Sequence, residues 1–290
     1  MKKAIISFLS LGLAGALFSQ KVSSALRFGQ GQVLQVSLQV NTTISQQAMG
    51  QAIDFTVDAT GDHHYKVTNS TDDNSTLSHV IERVRFSFDG MGQKRKFDSG
   101  EEKDMNGPFG KPVKELLEKK YDMVVDPAGK TLMTLPEKIE LGAGDSRMAI
   151  IRNMLKDVFG LAEPPPKGRA SFFQVLPETE TGKGEPWTVS YSQGPDKFNA
   201  AYTISDINDS TIVVDFATSS VTVSKAEMMG NETITTMNNK STGKIIVDRV
   251  SGILKEKTEE TESNGNTESS FGTLPVTSRT RTVISVRPVQ

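Results

Sequence analysis

The chain has 290 residues, with 33 basic and 35 acidic side chains for a net charge of -2 and 36% apolar residues. This balance gives no general attraction to nucleic acid or anionic lipid, both of which favour a basic excess. The absence of cysteine excludes a disulfide framework, an acylated-cysteine anchor and thiolate chemistry.

Lys2 and Lys3 precede an apolar run over residues 4–18 that has the length of a signal-peptide core and is short for a bilayer span. Cleavage after Ser19 is expected, leaving Gln20 first in a mature chain of about 270 residues. No later run approaches membrane-spanning length, so the expected location is the periplasm or the extracellular space.

Beyond Gln20 the dominant pattern has period two. Val36, Leu38 and Val40 alternate with polar residues, as do Ile53, Phe55 and Val57 with Asp54, Thr56 and Asp58. The pattern predicts strands near 32–40, 53–57, 65–67, 80–88 and 121–125 in the first part of the chain. Further strands are predicted near 187–191, 202–207, 211–216, 221–223, 244–247, 253–257 and 280–286. Asp126-Pro127-Ala128-Gly129, Asn208-Asp209-Ser210 and Ser251-Gly252 are tight-turn sequences, so neighbouring strands are expected to pair antiparallel. The polar, acidic stretch 256–270 reads as a mobile hairpin tip.

Two stretches break the alternation. Residues 111–120 place Pro112 in a first helical turn, with Val113, Leu116 and Leu117 on one face. Residues 145–159 open with an Asp145/Ser146 cap, and Met148, Ile151, Met154, Leu155 and Val158 recur at helical spacing before Gly160. The segment Glu163-Pro164-Pro165-Pro166-Lys167-Gly168 then reads as a semi-rigid connector. The expected organisation is a signal peptide at 1–19, a β-rich half with the central helices at 20–162, a proline-rich connector at 163–169, and a second β-rich half at 170–290. The fold class is mainly β (α+β), either one large curved antiparallel sheet or two related incomplete barrel halves with two central helices. Tyr65 precedes Met91 by 26 positions and Tyr202 precedes Met229 by 27, which fits a duplicated design.

The features Leu26-Arg27-Phe28, Met49-Gly50-Gln51, Phe88-Asp89-Gly90-Met91-Gly92, Phe97-Asp98-Ser99, Tyr121 with Asp126 and Gly129, and Gly184 with Trp187 resemble a family of exported bacterial envelope proteins catalogued as a domain of unknown function. The resemblance covers most of residues 25–287 and implies no activity. The order of strands, two central helices and strands is also similar, in architecture alone, to the lipoprotein-carrier superfamily. In that superfamily an incomplete barrel surrounds an apolar groove under a helical lid.

Catalytic signatures are sparse. His63 and His64 would point to opposite faces of an extended strand, so they cannot share one zinc ion without distortion, and solvent-facing or edge positions are expected for His63, His64 and His79. No G-x-S-x-G, P-loop or dinucleotide fingerprint occurs, so no cofactor is indicated. Asp54, Asp58, Asp89, Asp215 and Asp248 sit beside alternating strands, where wet faces are the usual place for an acid, and spacing alone pairs none of them for glycoside cleavage. The stretch 71–75 reads as a solvated turn, since it lacks the spaced ligands of a calcium loop. The basic run Gln93-Lys94-Arg95-Lys96 is neutralised by the acids that follow it.

The leading expectation is a non-enzymatic envelope protein that binds a lipid, another apolar ligand or an envelope protein in a groove. Met148, Ile151, Met154, Leu155, Phe159 and Trp187 are its candidate lining residues. The alternatives are an interaction module that uses exposed sheet edges, and a carboxylate-dependent hydrolase.

Overall fold

A computed structural model describes residues 20–48, 51–90, 92–139, 155–228, 231–270 and 272–289. The alternating segments become strands that are longer than the sequence marks, because backbone pairing continues where the hydrophobic signal stops. In chain order they are β1 (Lys21–Val22), β2 (Val33–Ala48), β3 (Gln51–Ser70), β4 (Ser75–Gly90), β5 (Gln93–Asp98), β6 (Lys120–Val125) and β7 (Thr131–Leu135). They continue with β8 (Thr181–Gly182), β9 (Pro186–Gln193), β10 (Asp196–Ile207), β11 (Thr211–Met228), β12 (Asn231–Asp248), β13 (Leu254–Ser269) and β14 (Gly272–Val289). Three short helices are described: α1 (Glu102–Met105), α2 (Gly110–Leu117) and α3 (Lys156–Phe159), the last running into a 3-10 turn at Gly160–Ala162. Among the described residues no helix is long and apolar enough to cross a membrane.

Twelve strands form one antiparallel sheet in the order β7-β6-β4-β3-β2-β14-β13-β12-β11-β10-β9, with β5 beside the far half of β4. β1 and β8 make a separate two-stranded ribbon. The sheet is curved and does not close into a barrel, yet its two edges approach one segment. Thr131 N of β7 donates to Arg169 O at 2.8 Å, and the Arg169 guanidinium lies 5.2 Å from the ring centre of Tyr191 on β9.

One face of the sheet is buried and the other is wet, as the period-two pattern requires. At the base end, Leu34, Val36, Leu38, Tyr65, Val214 and Val247 point inward and are buried. Each such side chain contributes roughly 1.5–3 kcal/mol through lost water contact. The outward rows carry charge, including Arg279 paired with Glu262 and Arg85 paired with Asp62. The outward surface is therefore charged and polar along these rows.

The predicted turns form the base. Asn208 N donates to Thr211 O, and Thr71 N donates to Asn74 O. Residues 24–32 run beneath these turns. Leu26 N donates to Pro127 O, Arg27 N to Ser251 O, and Val67 N to Gln32 O, so this one segment ties together ends of the sheet that are far apart in sequence.

The predicted helix at 111–120 corresponds to α2, whose Val113 and Leu116 are buried against the sheet. Of the predicted helix at 145–159, the described part is α3, and residues 140–154 lie outside the described residues. The reading of 256–270 as a mobile tip is corrected: residues 256–269 lie in β13, hydrogen-bonded to β12 on one side and β14 on the other. Its alternation is hydroxyl against charge, so an apolar pattern does not reveal it.

Candidate functional site

The strand register arranges the buried face in crosswise rows whose chemistry changes from base to tip. One row runs Ile204, Val214, Ile245, Lys257, Ile284, Leu38 and Gly61. The next runs Trp187, Tyr202, Phe216, Gly243, Glu259, Thr282 and Val40. The row above it is Thr218, Ser241, Thr261, Thr280 and Thr42 across β11, β12, β13, β14 and β2. The boundary between apolar and hydroxyl-bearing rows is the candidate site.

An aromatic shelf stands at that boundary on β9, β10 and β11. Trp187 stacks on Tyr202 with centroids 5.3 Å apart, and Tyr202 meets Phe216 at 6.1 Å. Gly243 makes room for Phe216, because a Cβ there would lie 2.6 Å from the ring's Cζ. Phe216 can therefore lie across β12 toward β13, where Lys257 Nζ sits 4.9 Å from its ring centre. Lys257 is paired with Glu259 at 2.7 Å, and the two side chains are only 28% and 19% exposed. Burial raises the Tyr202 hydroxyl above its ordinary pKa, and the Glu259 carboxylate and Tyr191 push it the same way. Further toward the tip Tyr191 stacks on Phe198 at 4.9 Å, and Val189 and Tyr191 are exposed on the edge strand.

The hydroxyls within a row are joined across neighbouring strands. Ser241 and Thr261 hydroxyls lie 2.9 Å apart, Thr42 and Thr280 3.0 Å, and Thr235 and Thr267 2.9 Å. Asn239 Nδ2 donates to Ser220 Oγ at 3.0 Å. A surface of this kind has donors and acceptors that can be re-aimed by rotating a hydroxyl, beside flat rings that take an apolar body.

A second cluster lies deeper, between the sheet and α3. His63 Nδ1 and His79 Nε2 are 3.0 Å apart, and both residues are buried. The expectation of solvent-facing histidines is thereby corrected for these two. His63 does point away from His64, which pairs with Glu82 at 2.8 Å, but a cross-strand neighbour supplies its partner. His79 stacks between Tyr65 and Tyr121, at 4.7 and 4.5 Å. The Tyr65 and Tyr121 hydroxyls are 3.2 Å apart, and Tyr121 donates on to Leu161 O at 3.0 Å. Loss of solvation lowers His63 to about 4 and His79 to about 3, the latter also through its histidine neighbour. For His63 the Val158 main chain and the Asp62 charge work in the opposite direction.

Of the predicted lining residues, Met148, Ile151 and Met154 lie outside the described residues. Leu155 and Phe159 are buried one helical turn apart, with Phe159 N donating to Leu155 O, and they join the core against the first half of the sheet. Trp187 stands instead on edge strand β9, half-buried in the aromatic shelf. Sequence reasoning missed Tyr202, Phe216, Lys257 and Glu259 as its companions. Their link is strand register, which no local motif carries.

Four of the acidic candidates are engaged by other partners. Asp58 bonds Asn41 and Ser87, Asp89 pairs with Lys94, Asp215 pairs with Lys244, and Asp248 holds the turn at Ser251. Among the described residues no group of three or more metal-ligating side chains gathers. A cleft of about 390 Å³ does lie at the base, lined by Arg27, Phe28, Ser70, Asp72, Asn74 and Asp126 among others.

No curated protein matches the chain. Among solved structures, a lipovitellin structure concerned with lipid–protein interactions is 11% identical, covering 90% of this chain and 26% of its own, with a TM-score of 0.47. The chain thus spans about a quarter of lipovitellin's length. An outer-membrane channel from Pseudomonas putida F1 is 8% identical over 91% of this chain and 98% of its own, with a TM-score of 0.26. The β domain of the Bordetella autotransporter BrkA is 8% identical over 89% and 99%, also at 0.26. The model of a family of unknown function, DUF6263, matches residues 72–254, more than half of the sequence, and the chain belongs to that family.

Proposed function

We propose that the protein is exported to the cell envelope and works there by non-enzymatic binding, holding an apolar or amphipathic ligand on the buried face of its large sheet. The observation that carries this reading is the row Trp187, Tyr202, Phe216 and Glu259, where stacked rings and a half-buried Lys257–Glu259 pair border the hydroxyl rows. An apolar body would lie against the rings while its polar part met Ser241, Thr261 and their neighbours. Export is supported by the basic and apolar pattern of residues 1–19.

Native mass spectrometry of the protein purified from its own host, followed by organic extraction, tests the reading. A stoichiometric bound molecule that is depleted in a folded Trp187→Ala variant is the expected result. A ligand-free mass, or a bound molecule indifferent to Trp187→Ala and Glu259→Gln, would overturn it.

A second reading is favoured by the sheet edges. Leu132, Met133 and Leu135 on β7 are exposed, as are Val189 and Tyr191 on β9, and both strands lie at the ends of the sheet. An interaction module would use such edges to meet a partner. Crosslinking at Met133 and Tyr191 distinguishes it, since a ligand-binding protein needs no partner there.

A further inference from the structure

The buried histidine pair is not used by the binding site, and its surroundings give it a different role. His63 lies on β3 and His79 on β4, with α3 and the following 3-10 turn packed over them. The packing is close: a Cβ on Gly61 would lie 2.6 Å from Val158 Cγ1 and 3.0 Å from His63 Nε2. The covering segment is otherwise held by buried Leu155, Val158, Phe159 and Ala162, and by the bond from Tyr121 to Leu161 O.

The hydrogen-bond capacity of the pair is incompletely used. With both rings neutral, one donates to the other across 3.0 Å; His79 Nδ1 has no partner, and His63 Nε2 makes no well-formed hydrogen bond, with only the Val158 main chain facing His63. A first added proton makes a buried cation. A second sets two N–H groups against each other across the same gap. Among the described residues no counter-charge compensates inside the cluster. Asp62 is the adjacent acid, and its carboxylate is engaged by Ser37 and Arg85. Tyr65 and Tyr121 flank His79, and burial raises both hydroxyls above their ordinary pKa. The covering segment faces His63 with the Val158 main chain, and α3 also contains Lys156 and Asp157. The side of His63 that makes no well-formed hydrogen bond is the side toward Gly61 and Val158, so water reaches it when α3 moves away.

We propose that His63 and His79 form a proton-operated latch: α3 and its 3-10 turn stay seated on the sheet while both imidazoles are neutral, and lift from it on protonation while the long strands remain paired. The latch acts whatever the sheet binds, and lifting would uncover the buried face from β2 to β4.

The direction follows from linkage. An imidazole lowered in the folded state from 6.5 to about 4 contributes stability that is present above pH 6.5 and is lost as pH falls toward 4. His79, lowered to about 3, acts in the same sense. What gives way first is set by extent of bonding. β11 and β12 are paired through 18 positions, whereas α3 spans four residues.

Hydrogen exchange of the mature chain near pH 7 and near pH 4.5, corrected for intrinsic rates, reads the latch directly. The amides of 156–162 should exchange at least about tenfold faster at the lower pH, with those of β2, β11 and β12 unchanged. That acceleration should vanish in the His63→Asn/His79→Phe double variant. Retained protection of 156–162 at low pH would overturn the proposal, as would simultaneous loss across the strands. Should the double variant not fold, NMR titration of the wild-type imidazoles decides. Opening at a pH where neither His63 nor His79 takes up a proton would also sink it.

Discussion

The Tyr65–Tyr121 pair allows a prediction in which direction matters as much as size. Tyr121 gives its proton to Leu161 O at 3.0 Å, so the 3.2 Å contact between the two hydroxyls must be donated by Tyr65. Tyr65→Phe removes only that donor and leaves Tyr121 bonded to Leu161, at a cost of about 1 kcal/mol. Tyr121→Phe is worse, because it strands the fully buried Tyr65 O–H and takes the donor from the Leu161 carbonyl. Each stranded group costs roughly 1–3 kcal/mol, and since Leu161 is only half-buried the total should be about 3 kcal/mol. In the double variant Tyr65 no longer has a hydroxyl to strand. Adding Tyr65→Phe to Tyr121→Phe should therefore be neutral or restore about 1 kcal/mol. Urea unfolding at neutral pH, with the slope held constant across the four proteins, measures the cycle. Equal costs for the two single variants, or simple additivity, would refute the assigned direction of the relay.

Phe173 is fully buried and meets Phe28, Tyr65 and Phe172 with centroids 5.1–5.4 Å away, so Phe173→Ala should cost about 4 kcal/mol in the same urea assay. Gly61→Ala should lower the thermal midpoint while leaving the strand signal in circular dichroism unchanged, because the added methyl meets Val158 and not the strand ladder. Asp98 is held below the ordinary carboxylate range chiefly by Arg83, so its contribution is present above pH 3.8 and lost as pH falls further. Arg83→Gln should flatten that acid limb and leave the histidine window between pH 6.5 and about 4 intact, as pH-resolved unfolding would show. Glu259→Gln should move the Tyr202 phenol down toward its ordinary value without reaching it, since burial is the larger cause, and ultraviolet titration of the phenolate checks this.

Strand identity was legible wherever one face is apolar. Ile53, Phe55 and Val57 announce β3, and Val113 with Leu116 announces α2, because periodicity reports burial directly. The far half of β13 was hidden because its inward residues are Thr261, Ser263 and Gly265, whose place in the sheet depends on pairing with two neighbours. The histidine pair was hidden for a related reason. The two-face rule placed His63 and His64 on opposite sides, but His79 is 16 positions away and reaches His63 only through the β3–β4 register. Trp187 was legible as a lone large ring, whereas the shelf around it exists only after β9 to β13 have been aligned.

The seam between β2 and β14 has a kinetic consequence. It pairs Val33 with Val289 and continues without a break to Gln46 opposite Val276, joining segments more than 200 residues apart. Loop closure over that distance is entropically expensive, so the seam should form late and refolding should be slow for a chain of this size. Until it forms, β2 and β14 are both open edges, and the hydroxyls and amides of β2 (Asn41, Thr42, Thr43, Ser45) and the arginines of β14 (Arg279, Arg281, Arg287) resist sticking to other chains. The polar makeup of these two facing strands thus protects the molecule while its two ends find each other.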